Sequence, residues 1–253
     1  MSENAGPLLR EWRRRRNLSQ LELASRAGVS ARHVSFVETG RSRPTPKVIL
    51  RLCDELAVPL REQNRVLLAG GYAPAHPEHA LAAPPMAEVA EAIEAILTAH
   101  LPCPALVVDA GWDLVSANDA VYALLDGVAP RLLEPPVNVI RLALDPDGLA
   151  PRIRNLDEWR GHLVARLRHE HDVSRDERIA ALVDEFATDR PPERSPGLVV
   201  PLRLALGADE VRLWSTTTVF GTPREVTVSE LAIEAFYPAD AASRQALATR
   251  VPG

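Results

Sequence analysis

The chain has 253 residues, enough for one large domain or two modest ones. Its 46% hydrophobic and 25% charged content is ordinary for a soluble globular protein, and no apolar run approaches the roughly 20 residues a bilayer crossing needs. The net charge of -5 conceals an asymmetry: residues 1–72 carry 13 Lys and Arg against 7 Asp and Glu, and the remainder carries 16 against 27. A basic head on an acidic body points to a polyanion partner for the head alone.

The N-terminal stretch MSENAGPLLREWRRRR places its basic run after its apolar residues and lacks a secretory h-region, so a cytoplasmic location is expected. Two cysteines, Cys53 and Cys103, are too few for a disulfide framework and lack metal-ligand spacing. Cys53 lies in the apolar stripe Ile49, Leu52, Cys53, Leu56, which predicts a buried free thiol.

Residues 7–69 read as five short helices. Leu8, Leu9 and Trp12 share a face, followed by the basic run Arg13–Arg16. Ser19 and Glu22 form a capping-box pattern, Gly28 interrupts the periodicity, Ser30 is the next N-cap, and Gly40 ends the third helix. Pro44 and Pro46 bound a helix over 46–57, and Pro59 opens one that ends at Gly70-Gly71. The Pro/Ala-rich stretch 73–85 predicts a linker between a domain over 1–72 and a second over 86–253.

In the body, a helix is predicted over 86–99, then a hairpin of 105–108 with 112–116 around Asp109-Ala110-Gly111, then a helix over 118–125. Asp109 suits the turn and Asn118 the cap of that helix. Residues 138–187 read as mostly helical, with segments at 138–144, 156–169 and 177–187. Strand-like runs follow at 198–206, 211–220 and 226–237, with turns at Gly207-Ala208-Asp209 and Gly221-Thr222-Pro223 predicting an antiparallel meander. The fold expected is an all-α five-helix head and an α+β body with an antiparallel sheet.

The segment 20–37 has the spacing of a tight two-helix turn. Ala24 is small where the helices cross, Gly28 supplies the left-handed turn, and Val34 and Val37 peg the second helix to the domain. Ala31, Arg32, Ser35 and Phe36 are left on its free face, where base edges can be read. Gln20, Ser30, Arg41, Ser42, Arg43 and Lys47 are the candidate phosphate contacts. The run LSQLELASRAGVSARHVSFVETGRSRP resembles the phage-repressor-like helix-turn-helix regulators, the Xre family, over about residues 8–70. That resemblance implies a five-helix domain, Gln20 on a phosphate, base reading by the start of the helix at 30–39, and a structural Arg13–Glu38 ion pair. Many such regulators carry Gln on the reading face where this chain has Ala31 and Phe36, so hydrogen bonding leans on Arg32, with Ala31 or Phe36 against a thymine methyl. Too few base contacts for a genome search are presented by one such domain, so a homodimer on two-fold-related double-stranded DNA is expected.

The stretches PALVVDAGWDLVSANDAVYALL, NVIRLALDPDGLAPRI, STTTVFGTP and ELAIEAFYPAD, in that order, resemble the MmyB-like ligand-binding domain over about residues 100–245. The resemblance implies a PAS-like fold with a cavity for a fatty-acid-like molecule. From the residues alone, the sheet's apolar face is more often solid core than cavity, and a docking scaffold stays open. A cavity would draw on Trp112, Trp159, Trp214 and Phe220, and a carboxylate ligand on Arg141, Arg152 or Arg154. No cofactor, metal or enzyme activity is expected. His162, His169 and His171 form no HExxH, and Ser195 and Ser215 lack a G-x-S-x-G context.

Overall fold

A computed structural model describes residues 4–188, 198–207 and 209–250; Ser195, and Ala208 of the expected turn, lie outside the described residues. The chain divides into two compact units: residues through His79 together with Thr222–Ser229, and Ala80–Gly221 together with Glu230–Gly253.

The first unit holds the five expected helices: α1 (Ala5–Arg15), α2 (Gln20–Ala27), α3 (Ala31–Glu38), α4 (Pro46–Glu55) and α5 (Leu60–Ala69). Their starts are set by side-chain caps. The capping box is complete: the Ser19 hydroxyl accepts from the Glu22 amide at 3.1 Å, and the Glu22 carboxylate accepts from the Ser19 amide at 2.7 Å. Gly28 ends α2 at φ +60°, where a Cβ would meet the Arg51 guanidinium at 2.9 Å. Leu9, Trp12, Leu23, Val34, Val37, Ile49 and Leu52 interlock in one core. Cys53 is buried among them, and burial, with Asp54 adding to it, pushes its thiol up to about 12.

Gly6 fixes how closely α1 approaches α3: a Cβ there would lie 2.3 Å from the Val37 carbonyl oxygen. Backbone must therefore move to admit one. Gly6→Ala is expected to destabilise this unit by about 1–3 kcal/mol, read as a lower melting temperature, despite alanine's better helix propensity.

The start of the expected linker is fixed rather than free. Asn64 of α5 accepts from the amides of Ala75 and His76 (both 3.0 Å) and donates to the His76 carbonyl at 2.8 Å. Further along, the Glu225 carboxylate accepts from the His79 amide at 2.7 Å, the Thr227 hydroxyl donates to the His79 carbonyl at 2.8 Å, and the Val226 amide donates to Pro77.

The second unit begins with α6 (Ala87–Ala99), followed by β1 (Ala105–Val108), β2 (Leu114–Ala117) and α7 (Asp119–Tyr122). Three more helices, α8 (Val139–Leu144), α9 (Leu156–Ser174) and α10 (Glu177–Phe186), precede strands β3 (Leu202–Leu206) and β4 (Asp209–Val219). The chain then forms α11 (Val226–Glu230), β5 (Ala232–Pro238) and α12 (Ala241–Ala248). Among the described residues the strands make one antiparallel sheet in the order β2-β1-β5-β4-β3. The expected succession of β3, β4 and β5 is present, with Leu204 opposite Val211 and Ser215 opposite Phe236.

Both faces of the central strands are covered, which is why every residue of β1 is buried. Ala105, Val107, Ile233 and Ala235 pack beneath Ile93 and Leu97 of α6. Leu106, Val108, Leu204, Leu206, Val211 and Leu213 face the helical layer, where Ile140, Trp159, Leu163, Leu167 and Ile179 meet them.

Three expectations are corrected, and one element is new. Residues 226–230 are helical, because the Glu225 carboxylate accepts from the Val228 amide and turns the chain, so 221–223 is not a two-strand turn. The first strand of the meander starts at Leu202 and not 198, just after Pro201, which has no amide hydrogen to give a ladder. Asn118 does not cap α7 with its side chain. It accepts from the Ala105 amide and donates to the Leu97 and Cys103 carbonyls, tying α6 to β1. The helix α12, capped by Asp240 on the Ser243 amide, was not foreseen.

Candidate functional site

Two surfaces carry chemistry, one in each unit. In the first, Val34 and Val37 are buried at 1% exposure each, which turns the opposite side of α3 outward. Arg32 is exposed there, and Ala31, Ser35 and Phe36 are half-buried. The Phe36 ring collects two cations: the Arg32 guanidinium lies 5.1 Å from its centroid and that of Arg41 6.0 Å. Arg41, expected only as a phosphate contact, thus joins Arg32 and Phe36 of the reading face. The Ser42 amide donates to the Phe36 carbonyl, drawing the following turn onto the same end of the helix.

The other expected phosphate contacts divide into occupied and open groups. The Ser30 hydroxyl caps α3 by accepting from the His33 amide at 3.1 Å. Arg43 donates to the Gly70 carbonyl at 3.0 Å and lies over the Tyr72 ring, so it braces the end of α5. Arg41 and Lys47 are exposed. Gln20 donates one amide hydrogen to Glu38 at 2.8 Å, leaving a second donor on the same nitrogen.

Glu38 is the anchor beneath this surface. Arg13 grips it with Nε at 2.6 Å and Nη2 at 2.8 Å, while Nη1 donates to the Leu18 carbonyl at 2.7 Å. The carboxyl is 4% exposed. Burial alone would raise its pKa, but the hydrogen bonds from Arg13 and Gln20 outweigh that and hold it below the usual carboxylate range.

In the second unit, a partly open cavity of about 100 Å³ lies between the sheet and the helical layer. Its walls are apolar apart from Arg166, Ser215 and Glu234. Trp112 and Trp159 are among its lining residues. Trp112 does so from a left-handed backbone (φ +64°), and its indole nitrogen donates to Glu170 at 2.7 Å. Asp109 stabilises this turn by accepting from the amides of Gly111 and Asp113 at 2.8 and 3.0 Å.

The other expected lining residues lie elsewhere. Trp214 is 49% exposed on the opposite face of β4, and Phe220 packs with the α6 cluster. Arg141 pairs with Glu185 at the surface. Arg152 donates to the backbone carbonyls of Leu124 and Asp126, and Arg154 is exposed. The cavity's cation is instead Arg166. Its Nη1 and Nη2 hold Glu234 at 2.9 and 2.6 Å, its Nε holds Glu170 at 2.9 Å, and its guanidinium lies 4.5 Å from the Trp112 centroid. Nearby, the His162 ring lies tilted against that of Trp159, and burial, helped by Arg166, pushes its imidazole pKa down.

Comparison with known families fits both surfaces. Residues 9–63 match a helix-turn-helix family model, and residues 89–249, well over half the chain, match the MmyB-like transcription regulator ligand binding domain. The chain belongs to the MmyB-like transcription regulators. Its helix-turn-helix makes it a DNA-binding regulator, and both matched families are regulator domains. No curated protein matches the chain. Among the described residues, no helix of this MmyB-like regulator is long and apolar enough to cross a membrane, and no group of three or more His, Cys, Asp or Glu is placed to hold a metal ion.

Proposed function

We propose that this regulator reads a two-fold-related operator as a homodimer and responds to a small apolar effector, fatty-acid-like in its hydrocarbon body. The observation that carries the sensing part is the cavity: apolar walls with a few convergent polar groups are the usual makeup of a small-molecule site. Effector binding acts by preferring one arrangement of the dimer, so its coupling to DNA equals its difference in affinity for the two arrangements. Fluorescence anisotropy of an operator duplex with and without saturating effector tests this; an unchanged operator affinity would refute it.

On the DNA side, Arg32 reads base edges with Ala31, Ser35 and Phe36 beside it. Arg41, Lys47, the free donor of Gln20 and the turn at Ser42 and Arg43 contact phosphates, with Ser30 presenting the helix start. Arg32→Ala is expected to weaken operator binding by about 1–3 kcal/mol with little effect on random DNA. Lys47→Ala should weaken both alike and reduce the salt dependence by about one counterion. Equal losses on both duplexes for Arg32→Ala would remove it from the reading face.

The size of the cavity favours one alternative, a body that serves as a dimerisation or docking scaffold without ligand. About 100 Å³ is smaller than the roughly 150 Å³ of an apolar cavity that takes up benzene. A melting temperature unmoved by every apolar ligand tried would favour the scaffold.

A further inference from the structure

Resting on the ligand-sensing reading, we infer that the cavity selects an apolar molecule whose head donates a hydrogen bond, such as an alcohol, amide or amine, and disfavours a carboxylate. The inference turns on the charge balance at its polar end. One guanidinium, Arg166, faces two carboxylates, Glu234 and Glu170, so the cluster carries a net charge of about -1. Arg166 commits three of its five N–H donors to these carboxylates, through Nη1, Nη2 and Nε, so its positive charge is already offset, and one face of the guanidinium is against the Trp112 ring.

Glu234 is different. It lines the cavity at 4% exposure, and the two bonds from Arg166 use two of its roughly four lone-pair sites. It offers acceptor capacity in a space whose walls give little else. Ser215 adds a hydroxyl to the lining. A ligand carboxylate brought here would lose its hydration and meet a like charge at short range, with its natural partner already neutralised. An alcohol or amide gives up little hydration and can donate to Glu234, and an ammonium also offsets the excess negative charge.

The test uses the full chain and three six-carbon probes of equal length: 1-hexanol, hexylamine and hexanoate at pH 7. Binding is read as a rise in melting temperature and as a saturable change in tryptophan emission, since Trp112 and Trp159 line the cavity. Hexanol and hexylamine are expected to bind at least tenfold more tightly than hexanoate. Glu234→Gln should narrow that ratio to within about threefold, chiefly by admitting hexanoate. Should that variant fail to fold, Ser215→Ala replaces it, with hexanol binding expected to fall several-fold. Hexanoate binding as tightly as hexanol would overturn the head-group inference and leave ligand sensing standing. No binding by any of the three would overturn both.

Discussion

Glu38→Ala is expected to destabilise the helical unit by about 3–5 kcal/mol, because it strands the Arg13 guanidinium, 9% exposed, without its partner. The measurement is native-state hydrogen exchange of the α1 and α3 amides, which isolates this unit from the rest of the chain. The same pair sets an acid dependence. The folded pKa of Glu38 is depressed below its unfolded value of about 4.3. Its contribution is therefore complete above that value and is lost as pH falls through the folded pKa. In Glu38→Ala the acid-side slope of stability should shrink by that contribution, and an unchanged slope would show that Glu38 does not carry it. Because Gln20 is held by the same carboxylate, the variant should also weaken binding to all DNA sequences alike.

Arg166→Met is expected to cost the sheet-containing unit about 3 kcal/mol, since Glu234 would remain buried with its charge unpaired. Adding Glu234→Met removes the stranded charge and turns the polar end of the cavity apolar, so the double variant should recover most of the loss. Buried ion pairs replaced by apolar groups of similar volume are often neutral or stabilising. Thermal unfolding of the wild type, both single variants and the double variant closes the cycle. A double variant no more stable than Arg166→Met would mean that Glu234 was not the group left in distress.

The helical head was legible because local signals agree there: caps at Ser19 and Ser30, the breaker Gly28 and the pegs Val34 and Val37 all specify the same turn. The cavity was less legible, although part of its signal was present. Val211, Leu213 and Ser215 alternate on β4, so Trp214 between them must point the other way, and its size misled the choice. Likewise Arg166 falls on the apolar stripe Trp159, Leu163, Leu167 of α9, a cation on the buried side. Pairing across 68 residues, as between Arg166 and Glu234, leaves no local trace. The strand expected over 226–230 failed for a related reason: Val-Thr-Val alternates like a strand, but Glu225 accepts from the Val228 amide with its carboxylate and from the Ser229 amide with its carbonyl, which closes a helical turn.

The return of Thr222–Ser229 to the linker has a consequence for how the protein is made and dissected. The helical core of α1 to α5 can close as soon as it leaves the ribosome, but the partners of Pro77 and His79 are synthesised some 150 residues later. An N-terminal fragment ending near residue 79 would therefore keep its helices while its last residues frayed. Nicking within residues 80–85 would not remove the hydrogen bonds by which the distant segment still clasps the stub.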